Sequence, residues 1–290
     1  MRIRHCIIPL LLAALQYQWA FGNIEPHRWG FPVNGALSLA FLAGIWVMNN
    51  EWGEKEWLRT LRSGRMACTL LACIAVWCVA GGLVPPHAQS RWLSLSGLKE
   101  FTTSWPFVTL LVLLLAHLAL VTLHRLKHFD CHSDGAFMCV HGGLWLALAS
   151  GLVGSTAYSD YRAVVNRDES VHFAFDSQGR RHPLGYGLQL ADFSIERNET
   201  DQSPVQYRAS VLVDEQPVDL AVNAPHAVRW DEDLYLASFD TSAAKPRYCI
   251  IQVVRQPAKY ATLAGITLLM LGVGWTLLGR HGTRRSYKAG

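Results

Sequence analysis

The sequence predicts a polytopic α-helical membrane protein of about six spans, with an extracytoplasmic all-β domain between the last two. Three observations predict it. Hydrophobic residues make up 51% of the 290, and charged residues only 17%, against roughly a quarter in soluble domains. The apolar residues are gathered into runs near 6–21, 31–48, 66–84, 105–123, 137–156 and 261–279. Residues 157–260 instead form a polar stretch of short β-branched and aromatic runs, punctuated by Pro, Gly, Asn and Asp, which is how strands read.

The first run follows Arg2, Arg4 and His5, and Gln16 and Gln18 interrupt its end. It reads as a first span or as a secretory signal peptide. WGFPVN (Trp29–Asn34) introduces the second run, Pro85 and Pro86 close the third, and SWPF (Ser104–Phe107) opens the fourth. The later runs match the about 17–25 residues a helix needs to cross the hydrocarbon core. Residues 1–156 therefore read as a transmembrane bundle, 157–260 as the β-rich domain, 261–279 as the last helix and 280–290 as a basic cytoplasmic tail.

Charge sets the orientation. With a cytoplasmic N-terminus, the inner segments carry Arg2, Arg4, Lys55, Arg59, Arg62, Arg65, Arg125, Lys127, Arg280, Arg284, Arg285 and Lys288, and the short outer loops only Arg28, Arg91 and Lys99. That asymmetry places 157–260 outside. Trp29, Trp52, Trp57, Trp92 and Trp105 fall near span ends and read as interfacial anchors first, ligand contacts second.

In the polar stretch, strands are expected at Val171–Phe175, Gly187–Glu196, Val205–Val213, Val218–Val222, Leu234–Phe239 and Tyr248–Val254. They suffice for one small sandwich or barrel. Of seven cysteines only Cys249 lies there, so the domain holds no internal disulfide and Cys249 reads as a core thiol. Neither CxxC nor CxxCH occurs, which argues against a thiol oxidoreductase and a c-type cytochrome. No P-loop, GxGxxG, HExxH or nucleophile elbow is present, so no catalytic residue is assigned. Nucleic acid is not an expected partner, because there is no basic stripe.

Two histidines, His117 and His141, sit inside expected spans at similar depth. An ionisable group in a span is a functional candidate, and a neutral imidazole can ligate haem iron. The plainer reading of each is a hydrogen bond that helps helices pack. Near His141, Gly143, Ala147, Gly151 and Gly154 form a small-residue stripe, which admits a neighbouring helix or a flat cofactor. His124, His128, Cys131 and His132 cluster on an inner loop, but basic loops are what orientation requires, and no metal site is assigned.

These segments together resemble the ResB (Ccs1-type) family of system II cytochrome c biogenesis, in its short form separate from ResC/CcsA. The resemblance rests on WGFPVN, SWPF, and the span VHGGLWLALASGLVGS (Val140–Ser155). It continues through HPLGYGLQLADFSIE (His182–Glu196), VNAP (Val222–Pro225), LYLASFD (Leu234–Asp240) and IIQVVRQP (Ile250–Pro257). Two departures stand out: His226 follows Pro225, and Trp230-Asp-Glu-Asp replaces the family's Tyr-x-Gly. The resemblance implies a subunit of the bacterial inner membrane that handles haem for attachment to apocytochrome c. The resemblance also implies the accessory half of a haem-attachment synthetase rather than an enzyme acting alone. Its implied partners are a ResC/CcsA-like membrane protein, apocytochrome c, a thiol reductant protein and membrane lipid. By position it makes His141 an axial haem ligand and leaves His117 a weaker candidate. The alternative function is a membrane-anchored envelope binding module whose outer β-domain has no haem role.

Overall fold

The computed structural model describes residues 4–85, 87–127, 129–198, 200–201, 203–241 and 246–286. The chain divides into a helical unit, Met1–Thr156 with Tyr260–Gly290, and a sheet unit, Ala157–Lys259. Helices form at all six apolar runs: α1 (Arg4–Phe21), α2 (Val33–Glu51), α4 (Gly64–Gly82), α6 (Trp105–Leu126), α7 (Cys131–Ser155) and α8 (Lys259–Ser286). Two short helices, α3 (Glu56–Leu61) and α5 (Arg91–Leu95), were not expected from the sequence. Among the described residues four helices, α4, α6, α7 and α8, are long and apolar enough to cross a membrane; in α1 the apolar part, Ile7–Phe21, is shorter. The last helix runs past the expected end at 279, to Ser286, so the basic tail begins as helix; Lys288 lies outside the described residues.

The helix α6 is the centre of its unit. Its apolar window is 44% buried, against 17% or less in the other three long helices, and it packs on α1, α2, α4 and α7. The SWPF segment explains where it starts. Ser104 is the N-cap and its Oγ accepts from Phe107 N at 3.4 Å, with Pro106 in the first turn. A capping hydroxyl satisfies an orphan helix donor, and proline loses nothing there. The interruption at Gln18 has a purpose too. Gln18 is fully buried; its Oε1 accepts from Trp105 N at 3.0 Å and its Nε2 donates to Asn23 Oδ1 at 2.5 Å. Asn23 in turn donates to Thr103 Oγ1 and Glu100 O. A polar knot thus ties α1 to the start of α6.

The stripe on α7 is filled by a helix. A Cβ added at Gly143 would meet Leu269 N at 2.5 Å and Gly265 O at 2.7 Å, and one at Gly265 would meet Ala147 N at 2.5 Å. Gly272 faces Val140 and Cys139 in the same way. The backbones of α7 and α8 are therefore in direct contact, as small-residue stripes allow. Of the two expectations for Gly143 and Ala147, helix contact is the one realised. Gly151 has open space around it.

Among the described residues the sheet unit is one antiparallel sheet of eight strands in the order β5-β4-β3-β2-β1-β8-β7-β6. The strands are β1 (Ser159–Asn166), β2 (Val171–Phe175), β3 (Arg181–Arg197), β4 (Pro204–Val213), β5 (Gln216–Ala221), β6 (His226–Arg229), β7 (Glu232–Phe239) and β8 (Tyr248–Arg255). The edge strands β5 and β6 are consecutive in the chain, with an Ala221–Ala224 bridge closing the turn after β5; β5 also lies against β6 and β7, so the sheet curls and brings its two edges together. Two strands escape sequence reading. In β1 the polar Ser159, Asp160 and Arg162 mask alternation, yet it pairs with β8 along its whole length. The four-residue β6 begins at the unexpected His226. The strand β3 starts six residues before its expected edge and carries a bulge between Leu190 and Asp192. A bulge shifts which residues face inward, hence its imperfect alternation. The β4–β5 turn holds Asp214 and Glu215 at φ 45° and 69°, the left-handed pair a tight hairpin requires.

A single core fills the curl, from Ala163 and Val165 through Leu188, Val211 and Leu220 to Leu234 and Ile251. Cys249 is fully buried in it, and burial pushes its thiol up to about 12. That agrees with a core thiol. The acidic run Asp231-Glu232-Asp233 is a clasp. Asp231 takes Arg255 at 2.8 Å, Glu232 accepts from the buried Tyr186 hydroxyl, and Asp233 takes Lys259 at 2.7 Å.

Candidate functional site

His141 stands on the third turn of α7, and the turns before it are held by charge. Asp134, 5% exposed, accepts Arg125 Nε and Nη2, both at 2.7 Å, and Asp130 N at 3.1 Å. A carboxylate in the first turn of a helix is where the dipole favours it. The Arg125 guanidinium also lies 4.8 Å from the centroid of the Phe137 ring. The Phe137 ring stacks on His141, with centroids 3.8 Å apart and planes inclined by 23°. An ordered column of cation, aromatic ring and imidazole therefore runs along α7.

His141 Nδ1 lies 3.1 Å from Phe137 O. A carbonyl only accepts, so this bond puts the proton on Nδ1 and the imidazole lone pair on Nε2. Fixing one ring nitrogen with a backbone carbonyl is how proteins orient a metal-ligating histidine. His141 is half-buried and lies roughly opposite Gly143 on the helix, since two residues turn about 200°. The α8 contact therefore does not cover it.

His117 is also fixed through Nδ1, 2.6 Å from Leu61 O. It is 7% exposed and lines a cavity of about 280 Å³ with Phe41, Met48, Leu61 and Met66. His141 is not among the residues lining that cavity. Of the two histidines, His117 is the one that lines this cavity. The loop cluster is only partly visible: His128 and the side chains of Cys131 and His132 lie outside the described residues. Among the described residues no group of three His, Cys, Asp or Glu side chains could hold a metal ion.

One feature escaped the sequence. A cavity of about 720 Å³ lies between α2, α6 and α7, walled by Trp29, Trp105 and Trp145 among others. It falls within the roughly 300–1,000 Å³ of small-ligand sites. Among the described residues its lining holds no His, Cys or Met. Two of its tryptophans were the ones at span ends, and only packing could show that they wall a cavity.

Residues 135–248 match the ResB-like family. No curated protein matches the chain. Solved structures similar to it include a "Cytochrome c Heme Lyase CcmF", at 13% identity and a TM-score of 0.38 over 72% of this chain. The chain spans about a third of that structure's length (34%), and at that score the likeness carries no functional argument.

Proposed function

Taking the chain as a ResB-family protein over residues 135–248, we propose that it is a subunit of a membrane complex that matures c-type cytochromes. Haem is its cargo, destined for covalent attachment to apocytochrome c, and His141 Nε2 is the axial ligand the chain contributes. The family match carries this reading, because it spans both the helix bearing His141 and most of the sheet unit. The geometry supports it: the Phe137 carbonyl holds the Nδ1 proton, so Nε2 offers its lone pair without tautomer exchange. Phe137 stacks on one face of the ring and limits its rotation. The rest of the proposal follows the charge asymmetry. The basic end of the bundle faces the cytoplasm of a bacterial inner membrane, and the sheet unit faces outward to meet apocytochrome c. A ResC/CcsA-like protein supplies the other half of the site, and a separate thiol reductant keeps the acceptor cysteines reduced.

The test is haem content. His141→Gly removes the ligand and leaves a helix whose backbone bonds are internal, so it still inserts. The Soret absorbance of the complex purified with its partner is expected to vanish, and cytochrome c maturation with it. Added imidazole restores both in part. His117→Gly is expected to change either far less. Wild-type haem and maturation in His141→Gly would leave the membrane-anchored binding module as the better reading.

A further inference from the structure

The turn that closes α2, Asn49–Gly53, is short of partners. Asn49 is 3% exposed and its Oδ1 has no hydrogen bond; Arg62 Nη1 is also buried and unpaired. Both belong to side chains at this one turn. Arg62 Nη2 donates to Gly53 O at 2.5 Å, and Lys127 Nζ donates to Asn49 O at 3.3 Å. Two cations thus converge where a helix C-terminus attracts them. That explains one nitrogen of Arg62 and not the other. The nearby carboxylate does not complete the set, because Glu54 is taken by Arg59 at 2.6 Å. Burial lowers the pKa of the Arg62 guanidinium from its ordinary value, and Glu54 opposes this less strongly.

An unpaired buried donor costs free energy, and so does an unpaired buried acceptor. A ligand that satisfies both offers a negatively charged acceptor to Arg62 and Lys127 and a hydroxyl donor to Asn49. The depth of the turn narrows the choice. Trp52 and Trp57 pair beside it with ring centroids 6.1 Å apart, and tryptophans mark the membrane–water interface. Basic pockets between helices at that level suit lipid headgroups. We propose that this turn is a binding site for an anionic glycerophospholipid of the phosphatidylglycerol class. Its phosphate takes Arg62 Nη1 and Lys127, and its glycerol hydroxyl donates to Asn49 Oδ1. The site is independent of haem.

The experiment counts retained lipid. The full chain is placed in nanodiscs of phosphatidylcholine alone, or of equal parts phosphatidylcholine and phosphatidylglycerol, then ejected into a native mass spectrometer. A third arm adds inorganic phosphate to the mixed nanodiscs. One retained phosphatidylglycerol is expected, undisplaced by phosphate. Arg62→Gln is expected to lower retention about fivefold, the scale of one basic contact to an anionic headgroup, and Asn49→Leu to lower it as well, because it removes the acceptor for the glycerol hydroxyl. Arg59→Gln removes the same charge from outside the turn and is expected to leave retention unchanged. Equal loss in Arg59→Gln would reduce the effect to general charge and overturn the site. Displacement by phosphate would assign it to a free anion instead of lipid. Equal retention of both lipids by the wild type needs no variant to fold, and would mean that a buried water satisfies the pair.

Discussion

In the sheet unit, one apolar cluster draws on β1 through β5, β7 and β8. In the helical unit, two separate and smaller clusters form, one around Met66 and Leu110, the other around Leu58 and Leu120. Leu39, Val76 and Leu271 stay 65–70% exposed in the helices, whereas Leu188, Leu220 and Leu234 are fully buried in the sheet. The sheet makes its own apolar interior against water. The helices leave much of that work to lipid, so their mutual specificity falls on close backbone contact and a few buried polar groups. Each unit should therefore fail in its own way.

The largest effect is expected at the α7–α8 contact. Gly143→Leu drives a side chain into the backbone of α8, where no rotamer avoids Leu269 N and Gly265 O. Overpacking of this kind costs about 3 kcal/mol or more. Thermal unfolding of the full chain in detergent should show the helical transition lost or sharply lowered, with that of the sheet in place. An unchanged helical transition would mean that lipid, and not this contact, holds the two helices.

A smaller effect is expected from Gln18→Leu. It leaves Trp105 N and Asn23 Oδ1 without their bonds to Gln18, at about 1–3 kcal/mol. Increased proteolysis between α1 and α6 is the readout, and wild-type resistance would show the knot to be dispensable. In the sheet, Cys249→Ser puts a hydroxyl into a fully buried site, for about 1–3 kcal/mol. Melting temperature should fall while cytochrome maturation persists. Lost maturation at normal protein level would make the thiol functional.

The smallest effect is a pH slope. His182 Nε2, 3.0 Å away, together with Arg180 and nearby backbone N–H groups, holds the Asp176 carboxyl well below the usual carboxylate range. A depressed folded pKa gives stability that is present above the ordinary value of about 3.9. It is lost as pH falls below that value toward the lower folded one. Asp176→Asn should flatten the fall in sheet melting temperature over that acidic window. An identical slope in the variant would remove Asp176 from the account.

The sequence by itself determined the positions of the six apolar helices, because run length and hydropathy are local quantities. It determined the hundred-residue β region and the core role of Cys249 for similar reasons. Its ResB resemblance marked His141, whose chemical candidacy follows from an ionisable group in an apolar run. The tertiary structure decided what each marked residue touches. Gln18 reads as a blemish until Trp105, far along the chain, brings the N–H that it caps. Gly143 serves either a cofactor or a helix until α8 fills the space. His117 and His141 share a depth in the sequence, and only the packing shows that His117 lines the small cavity. Strand β1 is set by pairing with β8, and local alternation cannot report a partner that arrives some ninety residues later in the chain; β6 pairs with its chain neighbour β7 and, at four residues, is too short to show alternation. Contacts between residues far apart in sequence are the information a single chain's composition does not hold.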